Sequence, residues 1–344
     1  MFVTPMRRAV AVAASLAFIA GCSSGTPSLT PAQSTSVMPS QERNSGTYYI
    51  RGGLVERPLI VPVVPQPWNL PHAWPDKHHK KKKEILFVAD PQNNQILMYD
   101  PLKANPTAEG SITNGIDYAF GLAIGQKGTL YVANLLSKTG STGSITVYPK
   151  GKTSPSLTIT TGCAAPYGIA IDSKGDVFST NLNNDTITAY KSGAKSPYET
   201  INFSSYGQAL GIGIDANDNA WVASDTNNEV FEIAKGSTTP VNAELSGLVG
   251  PINVAFGLKD VMYVSNFSGA NVTVYTYGTK SPSMTITNGA PDPTLSGFTK
   301  KGYYFQSNQN SYVSGYKTGS STPFSQITGI PDPRGIASSP RITL

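Results

Sequence analysis

The chain has 344 residues, 39% hydrophobic and 14% charged, with 33 glycines and 26 prolines. That length admits one large domain or two small ones, and the mixture suits many short strands and tight turns rather than long helices. Residues 1–84 hold 10 Lys+Arg against 4 Asp+Glu and residues 85–344 hold 16 against 17, so the net charge of +5 belongs to the N-terminal segment and does not argue for a nucleic-acid-binding surface on the body; no nucleic-acid partner is expected.

Residues 1–22 read MFVTPMRRAVAVAASLAFIAGC. Arg7 and Arg8 precede an apolar run of 13 residues, too short for a bilayer-spanning anchor and right for a secretory signal. Ile19-Ala20-Gly21-Cys22 resembles the lipobox of bacterial lipoproteins. That resemblance implies a signal peptide over 1–21, cleavage before Cys22, and lipidation of its thiol and new amino group with palmitate-type chains. Ser23, standing where an Asp would retain the protein at the inner membrane, favours the outer membrane under the lipoprotein sorting rule. The expected address is therefore an exported protein, lipid-anchored to the bacterial cell envelope, with the membrane as partner through Cys22.

Residues 22–84 are expected to be a disordered tether. Ser23 to Ser45 is rich in Ser, Thr and Pro and cannot offset its own ordering entropy. Arg57 to Pro75 is proline-rich and extended, and Lys77 to Lys83 is a basic run suited to a solvated spacer or to anionic lipid or polysaccharide.

From residue 85 the chain repeats. A β-rich run ending in a polar residue recurs as LFVAD (86–90), LYVAN (130–134), VFSTN (177–181), AWVAS (220–224), MYVSN (262–266) and YFQSN (304–308). A second run follows each one, and then a proline seven residues after Tyr99, Tyr148, Tyr190, Ile233, Tyr275 or Tyr316. A spacing kept in all six units predicts one turn geometry used six times. A third run alternates apolar and polar residues, and a fourth reads GLAI, GIAI, GIGI, NVAF and, more weakly, LSGF. Four short strands per unit of this length make a propeller blade. The first unit lacks its glycine strand, and Gly335-Ile336-Ala337-Ser338 is a spare one at the C-terminal end. One blade is thus expected to be closed by the C-terminal strand. The fold class is all-β, a six-bladed β-propeller of four-stranded blades over 85–344, with seven blades as the alternative.

LFVADPQNNQILMYD, PYGIAID and LYVAN…SITVY resemble the NHL-repeat and YVTN-type propellers. That family implies the fold; its members include lyases, lactonases and pure binding platforms.

Function is harder to place. His72, His78 and His79 all precede the propeller, so the histidine base of propeller lyases resembling the virginiamycin B type has no counterpart in it. No catalytic residue and no metal ligand is assigned. A calcium site on Asp117, Asp292 and Asp332, as in gluconolactonase-like propellers, stays open, with no other cofactor expected. Asp172 and Asp215 begin turns and are expected to cap them. Asp90, Asn134, Asn181, Ser224, Asn266 and Asn308 are either a polar ring for a ligand or, as preferred, turn-starting residues bonded to nearby backbone. Cys163, beside Ala164 and Ala165, is expected to be a small buried residue outside any disulfide. The residues at the starts of the innermost strands converge on the axis. There Tyr118, Phe120, Tyr167, Ile252 and Arg334 are the candidate ligand-binding set, with plugging of the channel as the equal alternative. The expected role is a ligand- or protein-binding scaffold, its partner a protein or envelope polysaccharide. The alternative is a metal-dependent lactonase or lyase.

Overall fold

The computed structural model describes residues 84–136, 142–309 and 312–340. The signal, the lipobox with Cys22 and the tether lie outside the described residues.

Alternating side chains explain why the strands form a ring of upright sheets. In Leu130–Asn134, Leu130 and Val132 pack against Phe87, Ile96 and Met98 on one side, while Tyr131 and Ala133 pack against Ile169 and Val177 on the other. Each strand thus presents successive residues to two different neighbours, and both faces must be apolar. Burial on both faces is what the near-continuous apolar runs of the second strands encode.

Six four-stranded antiparallel sheets result, in a six-bladed β-propeller. The inner strands are Ile336–Ser339 in blade 1, Ala119–Ile124 in blade 2, Pro166–Ile171 in blade 3, Ile212–Ile214 in blade 4, Pro251–Phe256 in blade 5 and Pro293–Phe298 in blade 6. Each packs against the next, and blade 6 returns to blade 1 to close the ring. Blade 1 is built from both ends of the described chain: Ile336–Ser339 pairs with Ile85–Asp90 in the register Val88 to Ile336 and Ile85 to Ser339. The expected closure is therefore the observed one.

The tyrosine–proline spacing has a physical cause. Tyr148, Tyr190, Tyr275 and Tyr316 each end a third strand and donate their hydroxyls to the carbonyls of Asn114, Thr161, Ser246 and Asn288, at 2.7–3.0 Å. Those carbonyls lie in the loop that leads into the inner strand of the same blade. The next residue, as at Gly115 and Gly162, has φ near +80° and sits under the tyrosine hydroxyl and the proline ring. A β-carbon on Gly115 would stand 2.9 Å from both Pro155 and Tyr148. Tyrosine, proline and glycine therefore form one clamp on the loops of the upper face, the face where chain enters the inner strands.

Candidate functional site

Glycine at the head of the inner strands of blades 1 to 4 lets those strands approach closely near the axis. A β-carbon on Gly121 would lie 2.7 Å from the Tyr167 carbonyl, and one on Gly211 2.7 Å from the Ile252 carbonyl. The gap is filled instead by backbone hydrogen bonds, Gly211 to Ile252 at 2.9 Å and Gly335 to Phe120 at 2.8 Å. The side chains just before these glycines are thereby driven together at the upper end of the axis.

Phe120, Tyr167, Leu210, Ile252 and Leu295 form one buried cluster there, with Leu135 and Ala165, and Tyr118, Leu182 and Phe267 pack on it half-buried. The rings of Tyr118 and Phe120 are 5.6 Å apart and those of Phe120 and Tyr167 5.1 Å. Arg334 lies over the Phe120 ring, 5.0 Å from its centre. All five candidate residues are thus gathered in one mouth. Phe120, Tyr167, Ile252 and Arg334 are its buried floor, 4–7% exposed, and Tyr118 is part of its wall. Below them the axial channel holds a cavity of about 180 Å³, lined by the six inner strands.

Arg334 is already paired. Its Nη2 is 2.9 Å from Oδ1 of Asp332, which is fully buried. Burial works against the Arg334 charge, but Asp332, Tyr167 and Tyr118 outweigh it and hold the guanidinium above its ordinary value. Burial pushes the Tyr167 hydroxyl up to about 12. It also pushes Asp90 and Asp225 upward, Asp332 adding to the effect on Asp90. Asp332 thus pairs with Arg334 in the mouth, and Asp90 and Asp225 are acids whose ionisation burial disfavours.

The polar end points are structural. Oδ1 of Asn134, Asn181 and Asn266 accepts the backbone N–H seventeen residues earlier, from Asp117, Ala164 and Val249, at 2.9–3.1 Å. Their Nδ2 groups donate to Thr146, Thr188 and Thr273. Each asparagine therefore ties the loop before its inner strand to its own blade. At Asn308 the seventeenth residue back is Pro291, which has no N–H, and Asn308 Oδ1 is buried without a partner. In blade 1 the equivalent residue is Pro331, and Asp90 instead accepts from Asn93 and Gln95. Three of the six end points thus bond backbone, in the loop seventeen residues before them rather than in the turn that follows, while Ser224 Oγ, like Asn308 Oδ1, is buried without a partner.

Asp172 and Asp215 are turn caps as expected: Asp172 accepts the backbone N–H groups of Lys174 and Asp176, and Asp215 those of Asn217 and Asn219. Cys163 is buried, with its thiol pushed up to about 11 by that burial. Among the described residues no group of three His, Cys, Asp or Glu gathers as a metal site, and Asp332 is committed to Arg334.

No protein-family model matches the sequence. No curated protein matches it either. Solved structures do. A chain of a nidogen/laminin complex superposes with a TM-score of 0.60 at 15% identity, over 74% of this chain and 98% of that one. A protein of unknown function from Bacteroides caccae gives 0.54 at 12% identity, again over 74% and 98%. Virginiamycin B lyase from Staphylococcus aureus gives 0.46 at 15% identity, over 68% and 78%. The first two likenesses show the propeller fold.

Two residues at the mouth escape sequence reasoning. Asp225 and Phe267 are the residues just after the polar end points, in register with Leu135 and Leu182. The signal was present in the repeat, as the position following each end point, but nothing in one sequence says that this position rims the axis.

Proposed function

We propose that this protein is an exported lipoprotein, anchored through Cys22 in the outer membrane, whose propeller binds a ligand or protein partner at the cell envelope. The observation that carries the binding role is the axial mouth, where one apolar and aromatic surface surrounds a buried Arg334–Asp332 pair and a half-buried acid. Concave sites with a few polar groups on an apolar lining are where proteins hold ligands, and loops on a rigid scaffold are where they vary. The anchoring is supported by the lipobox of residues 19–22.

Capture of partners by the full-length protein from native membranes, run beside Tyr118→Ala and Phe267→Ala, tests the binding role. Tyr118 and Phe267 are half-buried, so the fold should survive their loss, which the melting temperature checks. A partner lost from both variants while the melting temperature holds supports the mouth as the site; a partner retained by both removes it. Cys22→Ser tests the anchor. The variant should leave the membrane fraction or keep its signal peptide, and unchanged extraction and mass would refute lipidation.

A further inference from the structure

Inner strands run down from the upper face and their neighbours alternate in direction, so two turns of every blade lie on the lower face, opposite the mouth. One joins the inner to the second strand and the other joins the third to the outer strand. All thirteen lysines among the described residues stand in those turns, and all thirteen are exposed. Lys138 falls outside the described residues. Lys127, Lys174, Lys259, Lys300 and Lys301 lie in the first kind of turn, around the axis. The other eight, from Lys103 in blade 1 to Lys317 in blade 6, lie in the outer turns, one, two, four or five residues past the strand end. Several register positions are used, so a single residue copied with the repeat does not account for the pattern.

The acids of the lower face sit beneath this charge. Asp172, Asp176, Asp215 and Asp218 are buried. Asp218 accepts the Ser173 N–H of the neighbouring blade at 2.7 Å and pairs with Lys235 at 2.8 Å, and Asp176 pairs with Lys191 at 2.7 Å. Asp260 accepts the Ala216 N–H at 3.0 Å. Lys103 and Lys280 are paired with Glu109 and Glu244. The upper face has the opposite character. It has no lysine among the described residues, its Arg334 is spent on Asp332, and its loops and strand ends carry Asp117, Asp185, Asp225, Glu229 and Asp292. A surface that is merely solvated carries lysines at both ends; this one sets a positive face against a negative one.

Apolar side chains share the basic face. Leu102, Tyr198 and Tyr277, three of the five exposed large apolar residues among those described, stand in the same outer turns. Lys191 lies over the Tyr198 ring, 4.0 Å from its centre. Tyrosine interleaved with lysine suits a membrane–water interface, where the ring sits at headgroup level and the ammonium reaches the phosphates. The chain is also joined to this face. Ile85–Asp90 starts here, and the Glu84 carboxylate accepts from the Lys300 N–H and, at 2.9 Å, from the Ser338 hydroxyl. The segment with the lipobox and the basic run Lys77 to Lys83 is therefore attached at the lower face.

From this one-sided placement of lysines, exposed tyrosines and the attached tether, we propose that the lower face docks on an anionic lipid surface and turns the axial mouth away from it. Lipid phosphates attract exposed lysines without any pocket, and each lysine near such a surface strengthens binding about fivefold. Docking of the face then acts with the acyl anchor, two weak attachments that hold together. The proposal rests on the envelope reading for the membrane being at hand; it adds the surface that meets the membrane and the direction in which the mouth points.

Vesicle co-sedimentation of the full-length chain carrying Cys22→Ser, which lacks the acyl chains, tests the face. The readout is the ratio of binding to phosphatidylcholine vesicles with and without one-third phosphatidylglycerol, which cancels insertion of the N-terminal apolar run. The ratio should exceed about tenfold in dilute buffer and collapse at about 0.5 M salt. Lys127→Gln, Lys174→Gln, Lys300→Gln and Lys301→Gln, combined, should lower it about tenfold or more at an unchanged melting temperature. Glu229→Gln, at the upper face, should not lower it. An undiminished ratio in the combined variant would leave the binding to Lys77 to Lys83 alone and overturn the proposal. Tighter binding to soluble polygalacturonate than to the vesicles would assign the face to a polysaccharide and overturn it too. Amine-reactive labelling of the lipidated parent supplies a measurement without any substitution: the same four lysines should be protected several-fold on the anionic vesicles relative to the neutral ones, and equal labelling counts against docking. The two readings fail separately. If Cys22→Ser stays in the membrane fraction with unchanged mass while the lysine dependence holds, the anchor is wrong and the face stands; if the parent is lipidated while the combined variant binds as well as the parent, the face is wrong and the anchor stands.

Discussion

Asn266 accepts from Val249 and donates to Asn271 and Thr273, so its amide is used at both ends. Asn266→Ala should therefore cost about 1–3 kcal/mol in denaturant unfolding, because it strands a buried loop N–H. Asn308→Ala should cost less, since Pro291 already leaves its Oδ1 idle. The sequence shows these asparagines as one repeated position. It hides their partners, because a donor seventeen residues away is not a local turn. Asp225 makes the opposite case, a residue that costs stability. Burial raises its folded pKa, so the folded state holds the proton more tightly than the unfolded chain. Its contribution to stability is then present below the unfolded carboxylate pKa and lost as pH rises through the folded one. Asp225→Asn should raise the melting temperature at about pH 7, and the gain should vanish near pH 3, where the acid is neutral in both states. A gain that persists at low pH, or a loss at neutral pH, would contradict the assignment.

The clamp of tyrosine, proline and glycine works at the scale of the strand and its loop. Tyr275→Phe keeps the ring and removes the hydrogen bond to Ser246, so about 1 kcal/mol of stability should go. Blade 4 has Ile233 where the others have tyrosine, and an isoleucine has no hydroxyl to offer its loop. The seven-residue spacing to proline was legible as a turn. The clamp was not, because the carbonyl it holds lies 28 to 34 residues upstream. The axial residues divide in the same way. That Phe120, Tyr167 and Ile252 converge followed from their repeat positions; that they form a buried floor, with Tyr118 left in the wall, depends on how closely the inner strands approach. Tyr167→Ala should accordingly cost about 3 kcal/mol or more, as for other large buried rings, read from the melting curve.

A ring of blades has no sheet edge at its centre only while the last inner strand is in place. Ile336–Ser339 supplies four residue pairs to Ile85–Val88, and Ala89 and Gly335 add a further backbone bond at 2.9 Å. The same segment touches the neighbouring blade, where Gly335 donates to the Phe120 carbonyl and any β-carbon on it would collide with that carbonyl. It also brings Arg334 and Asp332 to the mouth. One short strand therefore joins blade 1 to itself, seals blade 1 against blade 2, and completes the candidate site. Ending the chain at Pro331 should open the ring as a whole. The expected result is loss of the single cooperative unfolding transition, with Phe87 and Met98 of blade 1 exposed to solvent probes. Ala in place of Gly335 should lower the melting temperature in the same direction without abolishing the transition. Addition of a synthetic peptide spanning 332–340 to the truncated chain should restore the transition, because the vacant edge beside Ile85–Asp90 is the one position that accepts it in register. A truncated chain that melts at the parent's temperature would show that the ring holds without its closing strand, and the topology would then carry none of the stability assigned to it.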